Sequence, residues 1–169
     1  MGLRYEEVSD EVDTMLREIK AQYFPELKNA KIKALFDLKK RKSGGLIVLG
    51  RIMKTNDLLR HLTIDEAGAV EGYDYIVTID KLCWDNIEKI DKERLIRHEL
   101  RHAVFDIESE SNPFKIQDHT VSDFYEELEY NKDDPHWREK LCTLVNDIYE
   151  QQKEDRLDKK KKKAPTGLG

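Results

Sequence analysis

Apolar residues recur along this chain at two spacings, and each change of spacing marks an element. Val8, Val12, Met15, Leu16 and Ile19 form a stripe of helical period that stops before Phe24-Pro25, which predicts a helix over 6–21. Ile32, Ala34, Phe36 and Leu38 then alternate with Lys33, Leu35, Asp37 and Lys39, the period of a strand. Ser43-Gly44-Gly45 reads as a hairpin turn, with Leu46 to Ile52 as its return strand. Residues 54–62 fit helix and extended chain equally well. Tyr73 to Asp80, carrying Ile76, Val77, Thr78 and Ile79, is the next strand. A short helix over 81–89 follows.

Apolar positions 95, 96, 100, 103 and 104, with no Pro or Gly between 91 and 107, predict a helix over 91–106 capped by Asp91. A second helix is expected just after Gln117, capped by Thr120 or Ser122, with Val121, Phe124 and Leu128 on its apolar face. A last helix is expected over 136–156. One helix, about three strands and then helices imply an α+β fold.

Composition narrows the picture modestly. The chain has 169 residues, 38% hydrophobic and 38% charged, with a formal net charge of −5. That length suits one domain with one core, and the charge makes no whole-molecule case for nucleic acid. Cys83 and Cys142, far apart and unaccompanied, are expected to be free thiols of a reducing, cytoplasmic compartment. No apolar run approaches membrane-spanning length. The domain is expected to occupy 1–152, followed by a basic, disordered tail over 153–169. The five lysines Lys159 to Lys163 would allow weak, salt-sensitive nucleic-acid contact. As a solvated run they would only aid solubility.

The chemistry concentrates in His98-Glu99-Leu100-Arg101-His102. Two histidines four positions apart on a helix share one face and can reach one metal ion, while Glu99 directs a carboxylate toward water held there. A catalytic zinc takes three protein ligands and keeps a position for water. His119 is the leading third ligand, since the polar loop 108–115 allows the chain to return over the helix. Glu126, Glu127 and His136 remain open alternatives. Asp106, four residues after His102, is a candidate to orient a ligand from outside, and His61 reads as a surface histidine. Tyr125, Tyr130, His136 and Arg138 are all candidates to stabilise an oxyanion.

The stretch 73–141 resembles the metallopeptidase domain found in phage and prophage genomes. The resemblance rests on Tyr75 to Ile79, Trp84, the His98–His102 motif, His119-Thr120-Val121-Ser122-Asp123-Phe124 and Trp137. More distantly the chain is similar to SprT-type zinc proteases. The resemblance implies a small zincin-like domain whose short sheet packs on the motif helix. It implies one Zn2+ ion held by His98, His102 and His119, with Glu99 as catalytic base. It also implies hydrolysis of a peptide or protein substrate in a bacterial host's cytoplasm, by a monomer. Thr120, where an acidic residue is frequent, and Arg101 inside the motif depart from the pattern without touching a ligand. Two alternatives stand beside this reading. One is a zinc-stabilised binding module without catalysis, engaging a host protein or DNA-associated protein. The other is hydrolysis of N-formyl amides with Cys83 as a ligand, as in peptide deformylases, although the Lys81-Leu82-Cys83-Trp84 context lacks their pattern.

Overall fold

The computed structural model describes residues 2–119 and 123–164. In chain order the elements are β1 (Tyr5–Glu7), α1 (Asp10–Tyr23), β2 (Ile32–Asp37), β3 (Lys42–Ser43), β4 (Leu46–Ile47), β5 (Gly50–Lys54), α2 (Asp57–Leu62), α3 (Ile64–Ala67) and β6 (Tyr75–Asp80). They continue with α4 (Lys81–Asn86), α5 (Lys89–Arg101), β7 (Ala103–Phe105), β8 (Phe114–Ile116), α6 (Tyr125–Tyr130) and α7 (Trp137–Lys163). The fold is α+β, as expected.

The main sheet has four strands in the order β1-β2-β6-β5, one more than the sequence indicated. The extra edge is β1, within residues expected to open the first helix. That helix starts only at Asp10, behind an extended Ser9. A second difference concerns pairing. β5 does not return against β2. β6 lies between them, parallel to β2 and antiparallel to β5. Gly44 and Gly45, both at positive φ, turn only the two-residue hairpin β3–β4.

The first face of the motif helix follows from burial. Leu95, Ile96 and Leu100 pack with Val12, Leu16 and Ile19 of α1, and with Ile52 and Val77 of the sheet. α5 is thus held between α1 and the sheet. It starts at Lys89 behind Glu88 rather than at Asp91, and it ends at Arg101 rather than near 106. His102 is the C-cap residue, still at αR dihedrals. Ala103–Phe105 leaves as β7 and pairs with β8, Val104 opposite Lys115. Ala103-Val104-Phe105 is a short apolar run, which fits a strand as well as a helix. Long-range pairing decides for the strand, helped by the Tyr75 hydroxyl donating to the Lys115 carbonyl at 2.7 Å.

α7 is also longer than expected. It continues to Lys163, so 153–163 is helical rather than irregular, and 165–169 lies outside the described residues. Cations in its last turn, including Lys160 to Lys163, suit the negative end of the helix dipole. Its other end is anchored by Trp137, Leu141 and Val145 in the core, and the Tyr149 hydroxyl donates to Asp80 at 2.6 Å. No described helix is long and apolar enough to cross a membrane.

Candidate metal centre

α5 delivers His98 and His102 to one face, and the β7–β8 reversal brings the chain back beside them. Gln117 fixes the return in register: its N–H donates to the His102 carbonyl at 2.8 Å, and its side-chain amide donates to the Arg101 carbonyl at 2.7 Å. Two residues later His119 reaches the same point. It stands on a loop, not at a helix start, since α6 begins at Tyr125. The anticipated caps Thr120 and Ser122, and Val121, lie outside the described residues.

One nitrogen from each of His98, His102 and His119 lies within 4.8 Å of the others. The Nε2 atoms of His98 and His119 are 3.1 Å apart. Two nitrogens each about 2.0–2.1 Å from one ion at the tetrahedral angle would lie roughly 3.4 Å apart, so this spacing matches a shared ion. Outer partners fix which nitrogen faces inward. His98 Nδ1 lies 2.7 Å from Asp123 Oδ1, and His102 Nδ1 lies 2.7 Å from the Gln117 carbonyl. Both partners accept, so both Nδ1 atoms carry the proton and the Nε2 lone pairs remain for a metal. Phe124 packs its ring against all three imidazoles, at centroid distances of 5.6, 4.9 and 5.2 Å.

The electrostatics suit the same use. Burial pushes His98 down to about 4 against the opposing pull of Asp123, and burial followed by the His102 and Arg138 charges lowers His119. Both rings are therefore neutral near pH 7, the ligand form. Asp123 is held below the usual carboxylate range by its His98 contact, which outweighs its own burial. Asp123→Asn should weaken metal binding by about 10–100-fold, because the amide orients His98 less firmly. Titration of the variant against a chromogenic chelator measures this, and an unchanged dissociation constant would deny Asp123 its role.

Glu99 sits beside the triad but is not among the residues that would share the ion. Its carboxyl group is buried, which raises it to about 7 against the lowering effects of Arg138 and of the Ile52 N–H that donates to it. The neighbour that lets it lie there is Gly50. A Cβ at that position would come within 3.1 Å of Glu99 Cγ and Oε1. A 240 Å³ cleft exposes this group, lined by Gly50, Ile52, His98, Glu99, His102 and His119 with Ile116, Asp118 and Arg138.

The alternative ligands have other employment. Glu127 is fully buried and ion-paired to Arg97 at 2.8 Å and Arg101 at 3.1 Å, which locks α6 onto α5. Glu126 and His136 are exposed. Asp106 accepts from the Glu108 N–H, so the orienting part expected of it falls to Asp123 instead. His61 is exposed on α2. Cys83 is buried in the core, outside the histidine group, and burial pushes its thiol well up. Of the oxyanion candidates, Tyr125 and Tyr130 are largely exposed, and Arg138 lines the cleft. Asp123, Gln117 and Gly50 were not anticipated. An Asp four residues beyond the candidate ligand His119 was the one available signal for the first.

Over residues 3–152 the chain matches the family model described as "putative phage metallopeptidase", and it belongs to that family. No curated protein matches it. No solved structure matches it either.

Proposed function

We propose that this member of the phage metallopeptidase family is a zinc-dependent peptidase with Glu99 as general base. The observation that carries the proposal is a buried carboxyl group, raised to about 7, beside three convergent imidazoles in a cleft open to solvent. His98, His102 and His119 would hold the ion. When bound, it supplies Lewis acidity that lowers the pKa of water and polarises a carbonyl. Glu99, poised near neutrality, takes a proton from water attacking the peptide carbonyl and returns it to the departing amine. Arg138 lines the same cleft, and its positive charge offsets the negative charge that grows on the carbonyl oxygen. Asp123 and Gln117 keep two ligand rings from turning during the cycle.

A zinc-stapled module without catalysis would close the site with a fourth protein ligand. Among the described residues, no fourth His, Cys, Asp or Glu joins the group, which favours the enzyme. The test uses the full chain. Wild type should take up one zinc per chain and cleave a quenched-fluorescent peptide pool. A chelator should abolish that cleavage and added zinc restore it. Stoichiometric zinc without cleavage of any pool member would turn the reading toward the binding module.

A further inference from the structure

Beyond the metal cleft lies a larger, mostly apolar chamber of 470 Å³. Its walls are Leu46 and Ile47 of β4, Leu128 of α6, Pro135, and Trp137 and Cys142 of α7. It shares His119 and Arg138 with the metal cleft, so the two spaces meet along these side chains. Leu46 is 69% exposed and Leu128 39% among the described residues. The volume falls within the range of about 300–1,000 Å³ typical of small-ligand sites, which are mostly apolar with a few convergent polar groups. Here the polar groups, His119, Asp123 and Arg138, stand on the side of the metal cleft, and Glu139 stands on the exposed rim.

We propose that this chamber is the specificity pocket of the peptidase and receives a bulky apolar side chain, such as leucine, next to the scissile bond. The inference rests on the metallopeptidase reading and adds the substrate class to it. A peptide whose carbonyl lies in the metal cleft would extend its neighbouring side chain past His119 and Arg138. Apolar walls favour a leucine over an alanine there because more hydrocarbon leaves water. The charged groups Asp123 and Arg138 stand on the side of the metal cleft, where Asp123 is already held by His98, and the walls of Leu46, Ile47, Leu128, Pro135 and Trp137 that the side chain would meet are apolar.

The test separates this pocket from the metal centre. N-acetyl-leucine hydroxamate and N-acetyl-alanine hydroxamate share one metal-binding head and differ only in the side chain offered. Calorimetry with the zinc-loaded full chain should show the leucine compound binding at least about tenfold more tightly, or about 1.4 kcal/mol. In Leu46→Ala/Leu128→Ala, where both truncated side chains are partly exposed, that ratio should fall at least about threefold with zinc content unchanged. Equal affinities for the two compounds in wild type would overturn the pocket while leaving the metal centre standing. A ratio unmoved by the double variant would also overturn it. Wild type that takes up no zinc would overturn the metallopeptidase reading, and the pocket with it.

Discussion

Glu99→Gln should keep its zinc and lose peptide hydrolysis by about 10²–10⁴-fold, the usual contribution of a positioned general base. The amide fills the same space against Gly50 and can still accept from the Ile52 N–H, but it cannot take a proton. The same substitution should have a second effect, on stability without metal. Glu99 is raised from 4.5 to about 7 in the folded chain. A raised carboxyl favours the folded state while it is protonated. That contribution is complete below about pH 4.5 and is lost as the pH climbs through 7. Above pH 7 the buried charge costs the wild type about 3 kcal/mol, at 1.36 kcal/mol per pKa unit. Metal-stripped Glu99→Gln should therefore melt roughly 6–12 °C above metal-stripped wild type near pH 8. Near pH 4 the two should melt together. Thermal melts at both pH values check this, and a gap that persists at pH 4 would contradict the buried-charge account. Glu99, the proposed base, is thus placed where its charge harms the empty fold, the cost that active sites commonly carry.

His119→Ala should release zinc, and His136→Ala should not. The first removes a ring whose Nε2 lies 3.1 Å from that of His98. The second removes an exposed side chain at the head of α7, outside the group. Loss of a direct ligand should weaken binding by more than the roughly 10–100-fold associated with an outer partner. Chelator competition on the two variants, with wild type beside them, measures the contrast. Equal retention in both would remove His119 from the centre. Helical content should change little in either variant, because neither ring belongs to the hydrophobic core.

Some parts of this centre were legible in the sequence, and others were hidden for physical reasons. His98 and His102 were readable because helical geometry alone sets their relation. His119 became readable only when the resemblance was added to the reversing loop. Asp123 was missed because an outer partner needs no fixed sequence distance from the ring it holds, and Asp106 met the helical rule better. Gly50 was missed because its part is to be small where the chain crosses a distant helix. The strand identities of 32–37 and 75–80 were plain from alternation and branching. Their adjacency was not, because pairing between strands 38 residues apart leaves no local trace. Residues 103–105 are a short apolar run with no period of their own, so only the partner strand could decide. The lysine run read as a solvated tail on composition, whereas a long helix entering it from a buried Trp137 can carry lysines through its final turn.

The placement of β6 between β2 and β5 also governs the order of assembly. β1 can pair with β2 early, but the second edge of β2 and the whole of β5 stay unpaired until β6 is complete at residue 80. Gly50 pairs with Ile79 of that central strand, and the helix bearing Glu99 is synthesised soon afterwards. In synthesis the sheet can be completed only once residue 80 is made, and the histidine cluster only once residue 119 is.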